Sequence, residues 1–386
     1  MLLAGLVAAG LALTGCARFP DAAPPQSWQP KPELTAQRGP QPQLPGEGGQ
    51  GGGGGGGTPS TPPQGPTSVP PPDGCKDFHQ EVVVTCVNAV SAVAVLPDGT
   101  TGLVGERTTG RVLQVRRDTP PVVVTTLPVD ASREGGLSGL ALSPNFNEDQ
   151  LVFAYLTTPT DNRVVRFAPG DAPKPVLTGI PRGSTGNAGA LTVDRRGALL
   201  VATGDAGNAA AAADPGSLAG KVLRIDGAGK PAAGNPTPGS PVVASGLHAP
   251  GGLCTSSDGS RAWITDRVPG QDVLYRFLPG QPLGVPAWTW PDRPGVAGCA
   301  AFADSVMVAT EQGAAVQALL LNRDGSFNGK PVVGEQGTFG RLSAMDVVGD
   351  EKAWVGTVNK AGGQPVSSDD RVFELPRPSP VAGGKD

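Results

Sequence analysis

Six short apolar segments follow polar turns between residues 99 and 357 of the chain. Each is seven or eight residues long, which suits a β-strand (TTGLVGE, QLVFAYL, ALLVATGD, SRAWITD, SVMVATE, EKAWVGT). A Gly- and Ala-rich segment such as GLSGLALS or GVAGCAAF precedes the turn, and a third apolar segment such as NRVVRF or DRVFEL follows. The turn residues recur 45 to 62 positions apart and are Gly99, Asp149, Gly197, Gly259, Asp304 and Asp350.

This repeat predicts an all-β fold, a six-bladed β-propeller over residues 75–378, followed by a disordered tail at 379–386. Sheets of four strands at this period are typical of propellers, whose innermost strands crowd round a channel and favour small residues. The apolar segment Glu81–Cys86 precedes the first repeat. We expect it to supply the outer strand of the last blade, because an open ring would leave two sheet edges unpaired.

The first 15 residues predict an export signal. Met1–Gly15 is apolar and uncharged and is too short to cross a bilayer as a helix. Leu13–Cys16 (LTGC) resembles a bacterial lipobox, although no Lys or Arg precedes the apolar run. We therefore predict lipidation at Cys16 and a lipid-anchored protein on the extracytoplasmic face of the cell membrane. The alternative is an ordinary secretory signal with a chance cysteine.

Residues 16–74 predict a disordered tether behind that anchor. The segment is rich in Pro, Gln and Gly, with seven consecutive glycines at Gly51–Gly57. Such a chain cannot bury enough apolar surface to offset its ordering entropy. It would span about 40 Å root-mean-square, enough to hold a domain clear of a membrane. The net charge of the whole chain, -4, argues against a nucleic-acid partner.

Four cysteines remain after Cys16, and an even number in an exported chain predicts disulfides. Cys75 and Cys86 bracket the start of the predicted domain. Cys254 and Cys299 occupy matching positions in the innermost strands of adjacent blades. We therefore predict two bonds, Cys75–Cys86 and Cys254–Cys299. The cysteines and histidines lack the spacing of a zinc site, and no metal site is predicted from them.

Candidate chemistry gathers on one predicted face. The second strand of four blades ends in an acid, and these are Glu106, Asp205, Asp266 and Glu311. Because equivalent strand ends point to the same face, we expect the acids to ring one mouth of the channel, with Arg107, Arg267 and His248 nearby. Such a ring would bind a metal, a sugar or a polar cofactor; the alternative is a solvated rim of turn-capping carboxylates. The basic residues of the third strands are expected to be structural, and these are Arg111, Arg163, Lys221 and Arg371.

Several motifs resemble the soluble quinoprotein glucose/sorbosone dehydrogenase family. They are GGLSGLALSPNF from residue 135, VFAY from 152, NRVVRF from 162, TGDAGN from 203 and SLAGKVLRI from 217. The resemblance covers about residues 80–376 and implies a six-bladed propeller. It also implies pyrroloquinoline quinone (PQQ) and calcium on the top face and oxidation of sugars. In active members a His acts as base, an Asp orients it, and Arg, Lys and Asn side chains hold the quinone.

The family's positions are only partly kept in this chain. The His-Asn-Gly-Gly-like segment reads Gly186-Asn187-Ala188-Gly189, so the base position falls on Gly186, while Asn187 remains a candidate cofactor ligand. Asp205 matches the orienting Asp and is a candidate catalytic residue.

The cofactor-clamping positions have changed as well. The family's Arg-Asn-Pro segment reads His248-Ala249-Pro250, which removes both clamps and makes His248 a candidate relocated base. The family's Lys in blade five aligns loosely with Gln312. Arg341 keeps the first of two family arginines and is the second candidate cofactor ligand.

Two functions follow from these residues. The first is a catalytically degenerate propeller, tethered to the membrane, that binds a glycan, a small molecule or a protein at its top face. The second is a PQQ-dependent oxidoreductase acting on sugars. The cofactor is therefore left undecided, with PQQ and calcium implied by the resemblance alone. The lipobox, the tether and the propeller together are most similar to those of an actinobacterial lipoprotein.

Overall fold

A computed structural model describes residues 69–379, which form 24 strands and two short helices. In chain order the strands of the first three blades and the helices are β1 (Val82–Val84), β2 (Val90–Val95), β3 (Thr101–Glu106), β4 (Arg111–Arg116), β5 (Thr119–Thr126), β6 (Leu137–Leu142), α1 (Phe146–Asp149), β7 (Val152–Thr157), β8 (Asn162–Phe167), β9 (Lys174–Ile180), β10 (Gly189–Val193), β11 (Leu199–Thr203), α2 (Ala209–Ala213), β12 (Lys221–Ile225) and β13 (Val242–Ser245). The remaining strands are β14 (Pro250–Thr255), β15 (Ala262–Val268), β16 (Gln271–Phe277), β17 (Trp288–Trp290), β18 (Val296–Ala301), β19 (Ser305–Thr310), β20 (Ala315–Leu320), β21 (Val332–Gly334), β22 (Leu342–Val348), β23 (Lys352–Thr357) and β24 (Val372–Pro376).

The strands form six antiparallel sheets of four, which confirms the predicted six-bladed propeller. Blade one is β2–β5, and blades two to five follow as β6–β9, β10–β13, β14–β17 and β18–β21. Blade six combines β22, β23 and β24 with β1. Blade three is the longest repeat because α2 is inserted between its second and third strands and a long loop joins β12 to β13.

The N-terminal strand closes the ring, as predicted. In β1, Val82 pairs with Phe373 and Val84 with Val372, both on β24. The segment before β1 is fastened to the same blade, because Arg371 forms an ion pair of 2.9 Å with Asp77. The predicted Cys75–Cys86 disulfide is present beside it.

The hydrophobic core lies between the blades. Six buried clusters occupy the six interfaces between neighbouring blades, including the closing interface between blades six and one. Near the channel the innermost strands approach too closely for side chains. A Cβ on Gly298 would lie 2.4 Å from the carbonyl oxygen of Ser343 in the next blade. This crowding is the physical reason for the small residues on the first strand of each repeat.

The second disulfide also lies where it was predicted. Cys254 on β14 and Cys299 on β18 are bonded, with Cα atoms 5.8 Å apart, and both are buried beside the channel. The bond therefore joins the innermost strands of blades four and five covalently.

Residues 1–68 and 380–386 lie outside the described range. The signal segment, lipidation at Cys16 and most of the tether therefore remain predictions from the sequence. Within residues 69–379, no helix is long and apolar enough to cross a membrane.

Candidate functional site

The channel is lined by the innermost strands of all six blades and has a small free volume of about 100 Å³. Its one charged lining residue in the described chain is Asp346 on β22. The carboxylate accepts a hydrogen bond of 2.8 Å from the backbone N–H of Val95 in blade one. Burial raises the pKa of Asp346 to about 6.

Three adjoining clefts open above the channel, on the face where each blade enters its innermost strand and joins its second strand to its third. Their volumes are about 310, 450 and 360 Å³, and all three are lined by Glu134 and Arg267. We call the first cleft, directly over the channel, the mouth; its charged residues are Arg107, Glu134, Arg267, Glu311 and Arg341. We call the third the blade 3–4 groove; its lining includes Thr185, Gly186, Asp205, His248, Arg267 and Arg293.

Glu106 does not line this face as predicted, because its carboxylate is fully buried. It accepts hydrogen bonds from the backbone N–H of Asn88 at 2.9 Å and from Arg111 Nε and Nη2 at 2.7 and 2.8 Å. Burial alone would raise the pKa of Glu106, but the hydrogen bonds from Arg111, Thr109 and Asn88 lower it. The side chain therefore holds the loop that enters blade one.

Asp266 also departs from the predicted ring. Its buried carboxylate accepts the backbone N–H groups of His248 at 3.0 Å and Ala249 at 2.7 Å, which fixes the loop entering blade four. The Nδ1 atom of His248 lies 3.9 Å from Asp266 Oδ2, and the side chain of His248 is 30% exposed in the blade 3–4 groove. This proximity to Asp266 raises the pKa of His248 despite partial burial. The structure thus pairs a buried carboxylate with an imidazole that faces a cleft.

Asp205 lies in the blade 3–4 groove, but the loop around it is already hydrogen-bonded. Its Oδ1 atom accepts the backbone N–H of Gly207 at 2.7 Å, and its own N–H donates to the carbonyl oxygen of His248 at 2.8 Å. Asp205 and His248 therefore share one cleft, as their roles as candidate catalytic residues require. The amide of Asn187 is fully buried and bonds the carbonyl oxygens of Arg133 and Gly183. Asn187 is thus a loop anchor, which corrects its prediction as a cofactor ligand.

Glu311 is the one predicted rim acid that lines the mouth. Its Oε2 atom lies 2.8 Å from Arg341 Nη2, and its Oε1 atom lies 3.9 Å from Arg267 Nη1. The carboxylate is therefore hydrogen-bonded to Arg341, which would otherwise attract an anion from solution, and lies near Arg267 without a hydrogen bond to it. The Nε atom of Arg341 is buried and has no hydrogen-bond partner within residues 69–379.

The four acids are therefore not one ring. Glu106 and Asp266 are buried and accept backbone N–H groups of the loops that enter blades one and four. Asp205 and Glu311 line different clefts. Within the described part of the chain, no group of three His, Cys, Asp or Glu side chains is arranged to hold a metal ion.

The basic residues of the third strands make internal contacts. Lys221 is fully buried, and its Nζ atom donates to the carbonyl oxygens of Ala211 and Ala212 in α2 and of Ala219 just before β12. Arg371 pairs with Asp77 and with Asp369. Arg111 forms an ion pair with Glu106, and Arg163 forms one with Asp161.

Sequence reasoning missed Glu134 and Arg293, which stand on loops with no repeat signal. Both have a left-handed backbone, with φ of 62° and 52°, and so has Ala206 beside Asp205, with φ of 57°. Such a conformation is uncommon for residues other than glycine and costs on the order of 1 kcal/mol or more. Three strained positions thus border the same clefts. Nothing in the pattern of apolar residues marks them.

Known protein families and solved structures resemble this chain over the propeller. The profile of the family described as glucose/sorbosone dehydrogenase matches residues 87–298. The PQQ-bound aldose sugar dehydrogenase of Streptomyces coelicolor is 31% identical, with a TM-score of 0.72 over 77% of this chain and 96% of that one. The chain belongs to the glucose/sorbosone dehydrogenase family. A glucose dehydrogenase-type oxidoreductase from Thermus thermophilus is also 31% identical, with a TM-score of 0.70 over 76% and 99% of the two chains. No curated protein matches the sequence.

An imidazole at the family's base position would strain this backbone and crowd Asp205. Gly186 has a φ of +62°, and a Cβ there would lie 2.8 Å from Asp205 Oδ1 and 3.1 Å from the N atom of Ala206. Its N–H donates to Glu134 at 3.2 Å. A side chain at Gly186 would therefore displace Asp205, which aligns with the Asp expected from the resemblance to orient the base.

The cofactor-clamping positions fit PQQ poorly as well. Arg341 is already paired with Glu311. The side chain of Gln312, at the family's Lys position, fills the space beside Gly295, where a Cβ would lie 1.3 Å from Gln312 Oε1. The residues at the cofactor-clamping positions of this glucose/sorbosone dehydrogenase family member thus do not fit PQQ.

Proposed function

We propose that this member of the glucose/sorbosone dehydrogenase family no longer oxidises sugars and acts as a binding module in the cell envelope. Its ligand, whether a glycan, a small molecule or a protein, docks on the top face, in the mouth and the blade 3–4 groove. The propeller is the scaffold that brings these loops together. Function depends on the site rather than on the fold.

The single observation that carries the proposal is the backbone at Gly186. General-base help is worth about 10²–10⁴-fold in rate. The position that supplies it in active relatives has no side chain here, and a Cβ there would lie 2.8 Å from Asp205 Oδ1 on a left-handed backbone. The loss therefore extends beyond one substitution to the path of the chain.

The paired Arg341 supports the same conclusion. A quinone carboxylate would have to displace Glu311, whose hydrogen bond to Arg341 is 2.8 Å long and partly shielded from water. Charge-assisted contacts of this kind are worth about 1.5–3 kcal/mol. The clamp is thus satisfied internally before any ligand arrives.

The cellular setting of the proposal rests on the sequence. The lipobox at Leu13–Cys16 would anchor the chain at Cys16 to the extracytoplasmic face of the membrane, and the Pro- and Gly-rich tether would hold the propeller away from it. The partners would then be the membrane, through the lipid, and a ligand on the top face. Nucleic acid is not among them, because the net charge is -4. An actinobacterial lipoprotein of this arrangement is the proposed counterpart.

A second candidate function is PQQ-dependent oxidation of sugars by an altered site. The observation that favours it is the pairing of His248 with Asp266 next to Asp205, which could act as a relocated base and its support. Identity of 31% to a PQQ-bound sugar dehydrogenase points the same way.

A turnover assay separates the two functions. The purified chain and the Streptomyces coelicolor enzyme are incubated with PQQ and calcium, and reduction of an electron-accepting dye is followed on addition of aldoses. We expect dye reduction by the relative only. Sugar-dependent reduction by this chain, abolished in His248→Gln, would establish the second function instead.

A further inference from the structure

We propose that the blade 3–4 groove is a binding site for a sugar acid, a carbohydrate that carries a carboxylate. Arg293 and Arg267 would hold the carboxylate, and Asp205 and Glu134 would accept hydrogen bonds from the hydroxyl groups. The inference rests on the proposed function, since it names the ligand class of the same face.

The donors of this groove are free to bind. Arg293 is exposed and forms no side-chain hydrogen bond or ion pair with any residue between 69 and 379. Arg267, across the same groove, has only the 3.9 Å approach to Glu311. Two guanidinium groups present up to ten N–H donors in fixed planes, the geometry that matches a carboxylate. An anion placed between them would be held from two sides.

His248 supplies a third donor, and the nearby carboxylate of Asp266 favours its charged form. The buried carboxylate of Asp266 lies 3.9 Å from Nδ1 and bonds the backbone N–H of His248, while the side chain of His248 lines the groove. Asp205 also faces His248 and stabilises its charged form. The other charged groups on the lining are Glu134, Arg267 and Arg293. On the groove lining two arginines face two acids, and the buried Asp266 behind His248 adds a third negative charge, so protonation of His248 brings this set of groups to balance.

The two acids decide between a simple anion and a sugar acid. Asp205 Oδ1 accepts one backbone N–H, and Glu134 Oε2 accepts the N–H of Gly186 at 3.2 Å, so each carboxylate keeps acceptor capacity toward the groove. These acceptors repel an isolated anion but bind hydroxyl groups. A ligand that matches both halves carries a carboxylate at one end and hydroxyls at the other. The volume of about 360 Å³ lies in the range of small-molecule sites.

Isothermal titration of the purified chain, without PQQ or calcium, tests the inference with glucuronate, glucose and inorganic phosphate. At about pH 6 we expect glucuronate to bind at least about 10-fold more tightly than glucose or phosphate. Arg293→Gln should weaken glucuronate binding by about 10-fold or more. Arg116→Gln is the matched control, because Arg116 is also an exposed arginine, on β4, without a side-chain hydrogen bond or ion pair in the described chain. It should bind as the parent does.

The pH profile supplies an independent readout. Glucuronate affinity should fall as the pH rises through the pKa of His248, which lies above its ordinary value, and His248→Gln should remove that slope. Equal binding of glucuronate and glucose, equal binding of phosphate, or an unchanged affinity of a folded Arg293→Gln variant would overturn the inference. Absent glucuronate binding without sugar turnover refutes only this inference, whereas sugar turnover with PQQ refutes the proposed function.

Discussion

Replacing Gly186 by alanine tests whether the backbone excludes a side chain at the family's base position. An L-residue in the left-handed region costs about 1–2 kcal/mol, of which about 0.4–1 kcal/mol is offset by the stiffer unfolded chain. The new Cβ would also lie 2.8 Å from Asp205 Oδ1. Moving Asp205 breaks its hydrogen bond from Gly207 N, which is 2.7 Å long and worth about 1.5–3 kcal/mol for a charged acceptor. We expect a total loss of about 2–4 kcal/mol.

Gly179→Ala is the matched control for this substitution. Gly179 has a similar φ of +76°, but a Cβ there would meet nothing within 4 Å. It should cost only the backbone share, on the order of 1 kcal/mol. Urea unfolding followed by tryptophan fluorescence measures both variants. Equal midpoints would refute the packing argument, and Gly186→His would then become a reasonable way to restore a base.

Three further predictions follow from the top face, the channel and the disulfide. Glu311→Gln should free Arg341 and make PQQ binding detectable in a fluorescence titration in which the parent gives no saturable signal; no binding by the variant either would show that this ion pair is not what blocks the cofactor. The pKa of Asp346 is raised to about 6, so the free energy of unfolding should fall by up to about 3 kcal/mol between about pH 4 and pH 6. Asp346→Asn should flatten that part of the profile, and an unaltered slope would assign it to other groups. Replacing Cys254 and Cys299 by alanine removes a link across 45 residues and should cost about 4 kcal/mol of stability in urea unfolding. A loss below about 1 kcal/mol would mean that blade packing alone sets the spacing.

Proton linkage explains why the free energy of unfolding falls as the pH rises through the pKa of Asp346. The folded state holds a proton at a pH where the unfolded carboxyl, with an ordinary pKa, has lost it. Stability is therefore fully present below the unfolded pKa and is lost as the pH rises through the folded one.

The architecture was predictable because each blade repeats the same local signals. The polar turn before each second strand and the small residues of each first strand recur in the sequence. The Cys254–Cys299 bond follows from matching repeat positions, and the Cys75–Cys86 bond follows from the place of its cysteines at the start of the domain. The closing strand was predictable because Glu81–Cys86 had no partner in its own repeat and a ring needs one.

The site was harder to predict because the repeats align the acids only to within about one residue, and successive strand residues point to opposite sides. Glu106 pairs with Val90, and its equivalent in blade five is Thr310, which pairs with Val296. Glu311 lies one residue further along, in register with Arg107 and Arg267, and so faces the mouth while Glu106 is buried against Asn88 and Arg111. Glu134 lies in a loop whose path depends on tertiary contacts, and no repeat marks it.

A PQQ titration with calcium present tests whether the top face has lost its quinone site. Melting temperature and quinone absorbance are followed together, because a ligand that binds only the folded state raises the melting temperature by mass action. We predict no saturable change in either signal. A saturable rise in melting temperature accompanied by a shifted quinone spectrum would show that the top face still binds PQQ.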